Sequence, residues 1–143
     1  MSDCTLCKKQ PGEGKTGASR LSDGQAADKL WAVAETSLGQ FKICEACYEQ
    51  GLPVFFTQSD LAEIHYQFGL GYLERDQSVE SIDALSQALR ISESADILAA
   101  LGDAESKRGD HASAIAHYQR ALEIDPSNAT AKENLKSLQS QAA

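Results

Sequence analysis

No stretch of this chain approaches the roughly 20 consecutive apolar residues that a membrane-spanning helix requires. The first residues, Met1-Ser2-Asp3-Cys4, hold neither the basic start nor the apolar stretch of a secretory signal. The sequence therefore predicts a cytoplasmic protein with no membrane partner. Basic residues are scarce, with 13 Lys and Arg against 21 Asp and Glu, a net charge of −8. The deficit is concentrated in residues 59–143, which carry seven basic and fourteen acidic side chains. Such a surface lacks the clustered Lys and Arg that grip a phosphate backbone, which argues against nucleic acid. A basic or apolar protein surface suits it better. Histidine is confined to His65, His111 and His117, all in the C-terminal half that begins near residue 60. No Ser/His/Asp, paired-carboxylate or metal–His constellation is present, so no reaction is expected of the chain.

What the sequence does have is four cysteines in two pairs of identical spacing, Cys4-x2-Cys7 and Cys44-x2-Cys47, with none left over. One tight turn of Cys-x2-Cys offers two thiolates to a single tetrahedral zinc, and two such turns close its coordination shell. In a reducing compartment, paired cysteines at this spacing favour metal over disulfides. Cys4, Cys7, Cys44 and Cys47 are therefore read as ligands of one structural Zn2+. Two other chemistries use the same motif. A thiol redox pair needs it at a strand–helix junction in a βαβ setting, and a catalytic zinc leaves a coordination position open.

The 36 residues between the pairs divide in two. Residues 8–29, rich in Gly, Ser, Lys and Asp, read as a long exposed loop. Within it Gly12-Glu13-Gly14-Lys15-Thr16 only imitates a phosphate-binding loop, because Lys9 stands where the first Gly belongs. Residues 30–34 and 41–43 flank Ser37-Leu38-Gly39-Gln40 and predict a short β-hairpin leading to Cys44. A helical turn at Tyr48-Glu49-Gln50 ends at Gly51, and Val54-Phe55-Phe56 is expected to pack this module against the first helical hairpin. Knuckle, hairpin, knuckle and short helix resemble zinc-ribbon or treble-clef modules over residues 4–50. That resemblance rests on ligand spacing alone.

From Asp60 onward the chain is written twice. With Phe68-Gly69 laid over Leu101-Gly102, Ile82 falls on Ile115, Leu85 on Tyr118, Ala88 on Ala121, Leu89 on Leu122 and Ile91 on Ile124, all 33 residues apart. A period of this size filled with helix formers predicts stacked helical hairpins, since one hairpin alone cannot bury its apolar face. Asp60-Leu61-Ala62-Glu63 has the spacing of a capping box. Helices are expected at 61–75, 79–91, 95–108, 111–124 and 128–140. Gly102 with Ala114, and Gly69 with Ser81, lack bulk where antiparallel helices approach. Residues 129–143, with Leu135 and Leu138 amid polar neighbours, suit a solvating cap.

Residues 95–128 resemble the tetratricopeptide repeat through Leu101-Gly102, Ala114, Tyr118, Ala121 and Pro126, departing from it at Leu98 and Glu105. Residues 62–94 match at Gly69, Tyr72 and Ala88, with His65, Phe68, Ser81, Leu85 and Glu93 in place of its other residues. The resemblance implies a concave groove lined by Glu63, Tyr66, Gln67, Leu70 and Leu73 from the first repeat. The second would add Asp96, Ala99, Ala100, Asp103 and Lys107. The Lys, Asn and Arg clamp that some family members use for a C-terminal carboxylate has no counterpart at Tyr66, Leu70, Ala99 and Asp103.

The expected architecture is mainly α. A small α+β zinc module (1–58) precedes two TPR-like repeats (62–94 and 95–128) and a capping helix (129–143). The expected role is a non-enzymatic adaptor or scaffold binding a protein or peptide through Tyr66, Leu70, Leu73, Asp103 and Lys107. A shallow two-repeat groove can also be extended by a second copy of the chain. The alternatives are a thiol redox regulator and a nucleic-acid-binding zinc ribbon, the latter opposed by the charge.

Overall fold

The computed structural model describes Cys4 and residues 30–142. The loop expected at 8–29 lies outside the described residues. Strands β1 (Trp31–Thr36) and β2 (Gly39–Cys44) form an antiparallel hairpin, with Trp31 opposite Cys44 and Thr36 opposite Gly39. Its two-residue turn, Ser37-Leu38, is closed by the Thr36 hydroxyl, which donates to the Gly39 carbonyl at 2.7 Å. Gly39 takes a φ of +112°, a value that side chains resist.

Six helices complete the described chain: α1 (Glu45–Gln50), α2 (Gln58–Glu74), α3 (Ser78–Ile91), α4 (Ala95–Arg108), α5 (His111–Ile124) and α6 (Ala129–Ala142). The fold is mainly helical, with TPR-like packing of α2 on α3, α4 on α5, and α6 on α5. Two starting points differ from the sequence expectation by three residues. α1 begins at Glu45 rather than at Tyr48, so Cys47 lies inside it. α2 begins before Asp60, because Thr57 is the better N-cap. The Thr57 hydroxyl accepts the Asp60 N–H at 3.1 Å, and the Asp60 carboxylate accepts the Thr57 N–H at 3.1 Å. The reciprocal box is therefore Thr57 with Asp60, not Asp60 with Glu63.

Three layers of core run along the array. The hairpin lies on α2, where Leu30, Ala32, Ala34 and Ile43 meet Phe56, Ile64, Phe68 and Tyr72. Leu85, Ala100, Leu101 and Ala104 join the two repeats. Leu98, Ala114, Tyr118 and Ala121 pack beneath Ala131 and Leu138 of α6. Of Val54-Phe55-Phe56, only Phe56 enters the core; Val54 is fully exposed and Phe55 half-exposed.

Repeat-equivalent glycines set the helix spacing. A Cβ on Gly69 would lie 2.5 Å from Leu85, and one on Gly102 would lie 2.7 Å from the Tyr118 ring. Ser81, fully buried, donates its hydroxyl to the Gly69 carbonyl at 2.7 Å, so its polarity is satisfied within the first hairpin. In α6 the corresponding position is Lys136, which is exposed. Its long charged side chain fits solvent on that outer face and suits a cap.

Candidate metal centre and partner groove

Cys44 ends β2 and stands at the N-cap of α1, so the second cysteine pair straddles a strand-to-helix corner. The Cys4 thiol reaches that corner from the N-terminal end of the chain. Its Sγ lies 3.8 Å from Sγ of Cys47, and it accepts the Cys44 backbone N–H at 3.4 Å. All three sulfurs lie within 4.8 Å of one another, and Cys4 is wholly buried. Such a cluster could hold a metal ion. Burial pushes the Cys44 thiol above its usual pKa; a cation among the sulfurs would oppose that by favouring thiolate. Cys7, the fourth sulfur singled out by spacing, lies outside the described residues.

The residues between Cys44 and Cys47 and just beyond fasten this corner to the first repeat. The Glu45 carboxylate accepts the Leu30 N–H at 3.3 Å and the Tyr72 hydroxyl at 2.8 Å. Tyr48 stacks on Phe68, ring centroids 4.0 Å apart, and its hydroxyl meets Nδ1 of His65 at 2.6 Å. None of these contacts was expected from sequence, because only the fold places α1 across α2. The sequence does carry one signal for them: His65, Phe68 and Tyr72 fall on one helical face.

The opposite face of α2 carries Tyr66, Leu70 and Leu73, half-buried against the layer of Leu85, Ala100 and Leu101. Tyr66 and Leu70 line a cavity of about 170 Å3 with Asp96, Ala99, Ala100, Asp103, Asn128 and Thr130. At the hairpin end Tyr66 also borders a cleft of about 460 Å3 with Glu35, Glu63 and Asp96. At the other end Leu73, Asp103 and Lys107 border one of about 400 Å3 with Tyr118 and Asn134. All five residues named from the sequence therefore line one run of clefts.

Two of those five are also engaged within the protein. Asp103 accepts from the Tyr118 hydroxyl and, at 2.6 Å, from Nδ2 of Asn134. Lys107 donates to the Asp76 carboxylate at 2.9 Å and to the Leu73 carbonyl at 3.4 Å. The cleft walls are acidic. Tyr66 is raised above the usual tyrosine pKa first by burial and then by the charges of Asp96, Glu63 and Asp103.

Residues 102–135 match the family model described as TPR repeat, from the C-terminal half of α4 into α6. The chain is also similar to cellulose synthase operon protein C of Escherichia coli K12, at 32% identity over 124 residues. That alignment takes in 79% of this chain and 10% of the relative. The corresponding protein of Escherichia coli O157:H7 is again 32% identical, over 79% of this chain and 11% of its own. This chain spans about a tenth of the length of the curated relatives it matches. A TPR repeat points to protein–protein interaction.

Proposed function

We propose that this chain is a zinc-containing interaction module that binds, rather than transforms, its partner. Cys4, Cys44 and Cys47, completed by Cys7, hold one structural Zn2+, and the run of clefts along α2 and α4 receives a basic or apolar segment of another protein. The observation that carries the reading is the convergence of the Cys4 sulfur with those of Cys44 and Cys47, 40 and 43 residues further along the chain. Tetrahedral zinc with bonds near 2.3 Å separates its sulfur ligands by about 3.8 Å. The Cys4–Cys47 separation is 3.8 Å. Soft thiolate donors with no carboxylate among them suit zinc rather than magnesium or calcium.

The groove half of the reading is supported by charge. Glu35, Glu63 and Asp96 stand at the mouth beside Tyr66, so a Lys- or Arg-bearing segment finds attraction there and an aromatic surface to lie on. A reducing cytoplasmic location belongs to the same proposal, since thiolate ligands must stay reduced. The test is metal stoichiometry on reduced protein. One zinc per chain, released only by competition with a chelator, is the expected result. Metal-free protein that forms a reversible Cys4–Cys47 disulfide would replace zinc with a redox role.

A further inference from the structure

We infer that the cysteine cluster is a clasp on α2, so that its occupancy sets how firmly the first groove helix is held; this rests on the metal and groove readings above. The two functional parts share one helix and use opposite faces of it. His65, Phe68 and Tyr72 face α1, whereas Tyr66, Leu70 and Leu73 face α4 and the clefts. The alternation follows from 3.6 residues per turn, which puts positions 65, 68 and 72 on one side and 66, 70 and 73 on the other.

Short covalent links connect the sulfurs to these contacts. Cys44 is the N-cap of α1 and Glu45 its first residue; Cys47 is followed directly by Tyr48. α1 has only six residues, far below the length at which an isolated helix persists in water. Something outside the helix must hold it. Sulfur ligation on both sides of its first turn does so, and with it fixes Glu45 against Tyr72 and Tyr48 against Phe68 and His65. Glu45 also ties Leu30, whose side chain fills the space over Gly71, where a Cβ would lie 2.7 Å away. When the sulfurs are released, α1 loses its constraint, and α2 loses the Glu45 and Tyr48 contacts on the face opposite the groove, while the hairpin remains packed on it. Glu45 and Tyr48 are thus positioning residues. A partner that binds Tyr66 and Leu70 then meets a helix whose order depends on a site across the helix from it.

The experiment is hydrogen exchange on the full reduced chain, zinc-loaded and then chelated, comparing α2 amides with those of α5 as an internal reference. Chelation is expected to accelerate α2 by about tenfold or more while α5 changes little, as for a local opening. The double variant Glu45→Ala/Tyr48→Phe is expected to bind zinc still, by dye competition, yet to show fast α2 exchange in both states. Glu45→Gln with Tyr48 intact, which keeps an acceptor oxygen, should restore most of the response. Should the double variant fail to fold, Tyr72→Phe alone is expected to blunt the response. An α2 that ignores chelation in the wild type, or variants that keep the full response, would overturn the clasp. If the protein takes up no zinc, the metal reading fails separately. The clasp is then judged on Cys47→Ser: faster α2 with unchanged α5 supports it, and unchanged α2 removes it.

Discussion

The Tyr118 hydroxyl donates to the Asp103 carboxylate, across the helical hairpin of the second repeat, and Asn134 of α6 donates to the same oxygen. One carboxylate thus fastens α4, α5 and α6 at a single point. Burial, and then the contact with Asp103, hold the Tyr118 hydroxyl well above the ordinary tyrosine pKa. Hydrogen bonds to a charged group contribute about 1.5–3 kcal/mol. Tyr118→Phe, which keeps the ring over Gly102, is expected to destabilise the protein within that range. A urea denaturation midpoint unchanged by the substitution would show that Asp103 belongs to the groove alone.

Helix spacing in the second repeat depends on the missing side chain at Gly102. In Gly102→Ala the new methyl must displace a Tyr118 ring that is 1% exposed and tied through its hydroxyl to Asp103. Overpacking of this kind costs about 1–3 kcal/mol, against about 1 kcal/mol gained from better helix propensity. The expected outcome is a net loss of stability, read from thermal melting. A variant more stable than wild type would mean that the hairpin can open without penalty.

Stability should depend on pH through His117. Its Nδ1 lies 2.5 Å from Oε1 of Glu105, and that contact, opposed by burial, raises its pKa above 6.5. Asp110 and the Ser113 carbonyl act in the same direction. Because the folded state holds this proton more tightly, the stabilisation is full below about pH 6.5 and is lost as pH rises through the raised value. His65 works the other way: burial lowers its pKa from 6.5, so its stabilisation is lost as pH falls below that point. Glu105→Gln is expected to flatten the high-pH arm of a stability profile and leave the low-pH arm in place. An unchanged high-pH arm would contradict the pairing.

The division expected from sequence near residue 58 can be probed with Cys44→Ser/Cys47→Ser. Two core layers contain no strand residue, one of them bordered by Tyr66, Leu70 and Leu73 of α2, so most of the helical circular dichroism is expected to survive, with losses confined to α1 and α2. Collapse of the whole signal would mean that the layer of Ile43, Phe68 and Tyr72 makes the chain one cooperative unit.

For partner binding, Tyr66→Ala is expected to cost about 2 kcal/mol, roughly 30-fold in affinity, as truncation of a central aromatic anchor does. Asp96 is the better acidic probe than Asp103, since Asp96 is exposed with one hydrogen bond, from Asn128 at 3.2 Å, whereas Asp103 fastens three helices. Asp96→Lys should slow association and reduce its salt dependence. Binding by both variants equal to wild type, in titration calorimetry with an identified partner, would move the interaction off this face.

Repetition and cysteine spacing carried much of the architecture in one dimension. The 33-residue offset placed Gly69 on Gly102 and Leu85 on Tyr118, and each glycine does face its partner side chain. Periodicity is legible because it records which face of each helix is buried, and every repeat meets the same neighbour. The hairpin was legible for a similar reason, its β-branched and aromatic residues flanking a glycine turn. Pairings between unlike elements were not legible. Asp60 accepting the Ser37 N–H at 2.8 Å, Glu45 accepting from Tyr72, and Tyr48 lying on Phe68 join residues that no local pattern relates. By itself the sequence determined a mainly helical repeat and cysteines in pairs, since both are written as spacings along the chain. Only the tertiary structure decided that the cysteine corner lies against α2 on the side away from Tyr66 and Leu70, because which surfaces meet depends on where the hairpin docks on α2.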